Sequence, residues 1–226
     1  MTKQFFSEKS RILVSALLIT AFFPNFTDKT APYLSGLSPY HSAAVNFEEK
    51  AFLQFAKDRR LAQLTHEDII KAKILKIASN FRTGLGQRYL HRLPGWIIEA
   101  SRRYGYDPLF LTAIIITESS FNHRAKSRKG ALGLMQITLR TGYAIAFETQ
   151  VKWKGKKTLY HPETNIALGA YYLDKLVSRY GDLSLALEAY NHGPTQLNRY
   201  LRKGFRPTLY SEKVFGNYKR LRSKSI

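Results

Sequence analysis

The chain has 226 residues, 36 of them Lys or Arg against 16 Asp or Glu, a formal charge of +20. It contains no cysteine, which excludes disulfides, thiolate metal sites, a thiol nucleophile and an acylated cysteine anchor. Such a cationic excess points to a polyanionic partner: nucleic acid, an anionic membrane surface or an acidic wall polymer.

Residues 1–30 read as a signal peptide or membrane anchor. Lys3, Lys9 and Arg11 precede a twelve-residue apolar run, Ile12 to Phe23, which Pro24 stops. Twelve helical residues span roughly 18 Å, short of the ~30 Å hydrocarbon core, so a secretory signal is the expectation and an uncleaved anchor the alternative. Export to the periplasm or cell envelope follows, and this N-terminus offers a means of association with the membrane surface. Residues 31–46 read as a linker and 47–89 as a helical extension. In that extension Phe52, Phe55 and Ala56 share one face, Ile70, Ile74, Ile77 and Ala78 share another, and Thr65 with Asp68 resembles a capping box. Asn80 to Gly86 reads as a turn.

Leu93-Pro94-Gly95 reads as a helix start and Gly105 as its end. Asp107-Pro108 starts the next helix, since Asp caps free amides and Pro fits the first helical position. After nine residues without formal charge, Leu109 to Thr117, that helix ends on Glu118. A carboxylate there meets the negative end of the helix dipole and apolar surroundings, and both raise its pKa. A basic loop follows, then Gly130-Ala-Leu-Gly133-Leu-Met135-Gln136-Ile137, whose glycines would let backbone approach a ligand. Helix is expected over part of Met135 to Phe147, and a short hairpin around 150–160. His161-Pro162 opens a helix closed by Gly181, and Asp182 caps another that runs into Tyr190-Asn191-His192-Gly193-Pro194. Residues 216–226 read as a basic tail. The fold class expected is all-α: a single globular helical domain with an N-terminal helical extension.

Together these islands offer one acid, two amides, hydroxyls and aromatic surface. That set suits a polyhydroxylated, amide-bearing substrate such as an N-acetylated sugar chain. Glu118-Ser-Ser-Phe-Asn122, then Gly130 to Ile137, then Asn165-Ile166-x-x-Gly169-x-x-Tyr172-Leu173, then Ala189-Tyr-Asn-x-Gly-Pro194 closely resemble, in order, the catalytic domain of soluble lytic transglycosylases. That fold is related to goose-type lysozyme, and the resemblance covers residues 90–215.

The resemblance implies a lysozyme-like fold and a peptidoglycan substrate. It makes Glu118 the sole catalytic acid/base at the bond between N-acetylmuramic acid and N-acetylglucosamine. It assigns Ser119 to positioning substrate near Glu118, and Gln136, Tyr190 and Asn191 to the acetamides or the muramoyl group. Met135 would line the groove, and Tyr210 would hold the acid. No cofactor is implied, and six histidines without ligand spacing predict no metal. Thr138-Leu139 stands where the family commonly has Met-Pro, His123 where it has Pro, and His192 where it has Ala. His192 is expected to face solvent, and Glu188 to be solvated or structural. Arg82, Arg88, Arg92, Arg102, Arg103 and the basic C-terminal end are the candidates for attraction to the wall. The competing readings are a hydrolysing muramidase and a basic helical nucleic-acid-binding protein. The export-type N-terminus and the lack of a nucleic-acid motif weigh against the latter, so no nucleic-acid partner is expected.

Overall fold

The computed structural model describes residues 66–223 together with 50, 51 and 54. The chain divides into two compact units, Met1–Ala62 and Gln63–Ile226. Of the first, the three described positions are helical. The N-terminal signal or anchor, the linker, the Phe52/Phe55/Ala56 face and Thr65 lie outside the described residues.

The second unit is mainly α, in agreement with the sequence. Helix α1 covers 66–79, followed by α2 (Gln87–Arg103) and α3 (Pro108–Ser119). A two-stranded antiparallel ribbon follows, β1 (Ala131–Leu132) and β2 (Ile137–Thr138), pairing Ala131 with Thr138. Then come α4 (Leu139–Glu148), α5 (Lys156–Tyr160), α6 (Pro162–Tyr180), α7 (Leu183–His192), α8 (Pro194–Arg202) and α9 (Leu209–Ser223). Among the described residues no helix is long and apolar enough to cross a membrane.

Helix α3 is the centre. Leu109 to Ile115 are all buried, and a helix that is apolar all round belongs inside a core. Its N-terminus forms as the sequence requires, with Asp107 Oδ1 accepting from the Leu109 amide at 2.8 Å and Pro108 in the first turn. Helix α9 packs along it. The contacts run antiparallel: Tyr210 reaches Glu118, Asn217 Nδ2 donates to Thr117 Oγ1 at 2.8 Å, and the Tyr218 hydroxyl donates to Asp107 Oδ2 at 2.6 Å. Ile74 and Ala78 of α1 join the same core. A smaller cluster of Leu132, Ile137, Ile145, Leu159 and Leu168 lies beneath the ribbon, and Tyr172 and Tyr190 border both clusters.

Three local expectations are corrected. Helix α2 begins at Gln87, with Pro94 inside it. Leu93, Pro94, Trp96, Ile97 and Ile98 are buried together, and that packed face outweighs the local cost of Pro and Gly. The hairpin lies at 131–138, whereas residues 156–160 are helical. The presumed basic tail is helical through Ser223, with Asn217 and Leu221 buried.

Candidate active site

Glu118 lies in the last turn of α3, and the chain leaves that helix through two left-handed residues, Ser120 (φ 48°) and Phe121 (φ 60°). Two consecutive non-glycine residues at positive φ are uncommon. Phe121 is fully buried against Phe81, with ring centroids 5.4 Å apart, and that burial holds the strained exit in place. Burial of the Glu118 carboxyl pushes its pKa from 4.5 up to about 7. A hydrogen bond donated by the Tyr210 hydroxyl and the charge of Lys213 act the other way and are outweighed. Tyr210 in turn is held well above the usual phenol range by burial and by the carboxyl it faces.

The ribbon is fixed beside this acid by side-chain hydrogen bonds to its backbone carbonyls. Ser119 Oγ is shared between the carbonyls of Ile115 (3.1 Å) and Leu134 (2.8 Å), so the residue expected to position substrate ties the turn to α3. Gln136 adopts positive φ (48°), and its Nε2 donates to the Gly133 and Ala125 carbonyls at 2.9 and 3.2 Å. The Tyr190 hydroxyl donates to the Met135 carbonyl at 2.8 Å, and its ring leans on Tyr172. Burial and the nearby Glu118 carboxyl raise the Tyr190 phenol well above its ordinary value. Asn191, next in α7, is exposed. Glu118, Ser119, Gln136, Tyr190 and Tyr210 are thus linked through direct contacts or through one backbone segment.

Met135 departs from the expected place. Its side chain is fully buried, and a Cβ on Gly169 would lie 2.5 Å from its sulfur. Its side chain is core, and only its carbonyl meets the site. Gly133 also differs from expectation. At φ +80° it has no room for a Cβ, which would lie 2.4 Å from both Asn165 Nδ2 and the Leu159 carbonyl. Its bareness admits another part of the protein, not a ligand. Thr138, where the family commonly has Met, caps α4 by accepting from the Thr141 amide at 3.2 Å. His123 Nδ1 meets the Thr83 carbonyl at 2.9 Å.

Asn165 stands in the third of the resembling islands, where the sequence assigns it no role. It is 0 % exposed. Its Oδ1 accepts from the Met135 amide at 2.7 Å, and its Nδ2 donates to the carbonyls of Leu132 (3.0 Å) and Leu159 (2.8 Å). An Asn early in a helix, four residues before a glycine, was the available signal. Glu188 is not solvated but 0 % exposed, accepting from the Ser211 amide at 2.8 Å. His192 is the last residue of α7, its Nε2 3.4 Å from Glu188 Oε2 and its ring edge-on to Tyr200. Of the basic candidates, Arg102 pairs with Glu67 at 2.7 Å, Arg103 lies 3.5 Å from Glu99, and Arg92 covers Trp96.

Tyr210→Phe tests the contact to the acid. Losing the donated hydrogen bond removes stabilisation of the carboxylate, so the Glu118 midpoint is expected to rise. Folding by circular dichroism should be retained, since the ring stays buried. An unchanged midpoint in a carboxyl NMR titration would contradict the assignment.

Residues 95–208, just over half of the chain, match the Transglycosylase SLT domain family. A membrane-bound lytic murein transglycosylase C of Cronobacter sakazakii is 40% identical over 92 residues, 40% of this chain and 26% of that protein. The protein of the same name from Shigella sonnei is 42% identical over 94 residues, 41% of this chain and again 26% of the relative. The match therefore spans about a quarter of these relatives' length. Among solved structures, a 70-kDa soluble lytic transglycosylase in complex with bulgecin A superposes with a TM-score of 0.52. It is 24% identical, over 60% of this chain and 26% of that one. That likeness is one of fold. With the family pattern matched across the segment that holds Glu118, Gln136, Asn165 and Tyr190, the chain belongs to the Transglycosylase SLT domain family.

Proposed function

We propose that the protein is a peptidoglycan lytic transglycosylase that cleaves the β-1,4 bond between N-acetylmuramic acid and N-acetylglucosamine and leaves a 1,6-anhydromuramoyl end. The observation that carries this reading is Glu118, a carboxyl in the last turn of α3 that accepts from the Tyr210 hydroxyl within a family-matched segment, its pKa pushed up to about 7 by burial. The carboxyl donates its proton to the glycosidic oxygen as the bond breaks. The resulting carboxylate then takes the proton from the muramoyl C6 hydroxyl as that oxygen closes on C1. No water is consumed, and Glu118 ends protonated as it began.

Ordinary glycosidases flank the bond with two carboxylates. Glu188, the other carboxylate near Tyr210, is buried and occupied by the Ser211 amide, so it offers no nucleophile to a bound sugar. The substrate's own acetamido group and C6 hydroxyl serve as the nucleophiles. In this reading Tyr190, Asn191 and Gln136 bind the sugars. Ser119 acts through the ribbon and Met135 through its carbonyl, while Tyr210 orients the acid. The reading needs no cofactor. It places the protein in the cell envelope, exported by its N-terminal segment, where its positive charge draws it to an anionic wall.

The pH profile tests the acid. Catalysis requires protonated Glu118, so kcat/KM on purified glycan strands is expected to fall on the alkaline side with a midpoint near 7. A profile flat from about pH 5 to 9 would count against this group, since an ordinary carboxyl ionises near 4.5.

A further inference from the structure

Helix α9 takes its N-terminal cap from another helix. Its first turn closes from the Glu212 amide to the Thr208 carbonyl at 2.9 Å, which puts Leu209, Tyr210 and Ser211 at the start. Amides of a first turn have no partner within their own helix. The Ser211 amide is taken by Glu188 Oε1 at 2.8 Å, across 23 residues of chain. Glu188 belongs to α7, two residues before Tyr190, and is 0 % exposed.

Burying a carboxylate is unfavourable unless specific partners offset it. Here the partners are the Ser211 amide and the positive end of α9. The second oxygen has no hydrogen bond and lies 3.4 Å from His192 Nε2. The residue joined by this bond is the neighbour of Tyr210, whose hydroxyl donates to Glu118. One turn of α7 thus holds the ribbon through Tyr190 and the start of α9 through Glu188.

We propose that Glu188 is a positioning residue for Glu118: by holding the Ser211 amide it fixes the first turn of α9, and with it the Tyr210 hydroxyl that Glu118 accepts. The catalytic part of this inference rests on the function proposed above. The groups facing Glu118 are Tyr210 and Lys213 from α9 and Tyr190 from α7. Those facing Glu188 are Tyr210 from α9 and His192 from its own helix. If the Glu188 contact loosens, Tyr210 loses its fixed donor geometry, and the Glu118 carboxylate loses the hydrogen bond that favours it.

Two conservative variants separate reach from charge. Glu188→Asp keeps the charge and withdraws the oxygen by one methylene. Glu188→Gln removes the charge and keeps an acceptor at the same reach. In the full-length chain, the Glu118 carboxyl is titrated by carbon NMR, and kcat and KM are measured on glycan strands. Glu188→Asp is expected to raise the midpoint by about half to one pH unit and to lower kcat about tenfold with KM within about twofold. Glu188→Gln is expected to leave the midpoint at or below that of the unaltered chain and to retain most of kcat. Tyr210→Phe should give the same upward shift, and Tyr210→Phe with Glu188→Asp no more than either alone. Glu188→Met, of similar volume and without an acceptor, repeats the test if the Asp variant does not fold. An unmoved midpoint in Asp and Met variants, or shifts that add fully to that of Tyr210→Phe, overturns the proposal. The titration needs no substrate, so an unaltered chain that releases no muropeptides defeats the functional reading while the midpoint still decides the Glu188 link.

Discussion

Glu118→Gln is expected to lower muropeptide release by about 10³-fold or more, because in the proposed mechanism this group both donates and receives the proton. The substitution preserves shape, and the Gln carbonyl still accepts from the Tyr210 hydroxyl, so the fold is retained. Stability makes the control. The folded-state pKa of Glu118, about 7, lies above its ordinary 4.5. Below 4.5 the carboxyl is protonated folded and unfolded, and it causes no loss. From 4.5 to about 7 the unfolded chain releases the proton while the folded chain keeps it, so stability falls as pH rises. Above 7 the loss is complete. Glu118→Gln is therefore expected to match the unaltered chain near pH 4 and to exceed it at neutral pH by about 1–3 kcal/mol in urea unfolding, the lower end reflecting the partial exposure of the group. An inactive variant less stable at neutral pH than the unaltered chain would mean that Glu118 is a structural carboxylate.

The second large effect is expected at Asn165. Asn165→Leu fills the space but removes one acceptor and two donors at once. The Met135 amide and the Leu132 and Leu159 carbonyls would then lie buried without partners. Each such group costs about 1–3 kcal/mol, so a loss of about 3–9 kcal/mol is expected. A domain of this size has on the order of 5–15 kcal/mol in all, so the variant stands near the edge of folding. Asn165→Asp should be no better, since it turns two donated hydrogen bonds into contacts between a carboxylate and carbonyl oxygens. Urea unfolding checks both. A loss below about 1 kcal/mol in Asn165→Leu would show that the ribbon turn is held by something else.

These two residues also show what the sequence could reveal. The Glu118 helix was legible because its signals are local: a capping Asp, a Pro at the first position and an uninterrupted apolar run. Such features act within a few residues and survive translation into structure. Its candidate role was legible as well, from four ordered islands. The role of Asn165 was not, because its three partners lie 6 to 33 residues away and only the fold brings them together.

Facing directions were the other blind spot. Met135 and Gln136 are neighbours in the chain, yet Met135 is core and Gln136 clasps the turn. The positive φ at Gln136 redirects the chain, and no periodicity reports it. Pro94 misled for a related reason: locally it marks a first helical position, but the helix begins at Gln87 and its apolar face runs through Pro94. The last segment reads as a basic tail because its charges are frequent. The helix that includes it, Leu209–Ser223, turns Tyr210, Val214, Asn217 and Leu221 inward at helical intervals, and two of these are polar, which weakens an apolar pattern.

In the proposed mechanism one carboxyl, with the substrate's own hydroxyl, replaces the two carboxylates and the water of a hydrolase. Digestion of purified sacculi by the protein in ¹⁸O-labelled water, followed by mass spectrometry of the released muropeptides, decides between the two. The expected products are lighter by one water than hydrolysed muropeptides, with no ¹⁸O at the new end. Reducing ends that carry ¹⁸O would contradict it.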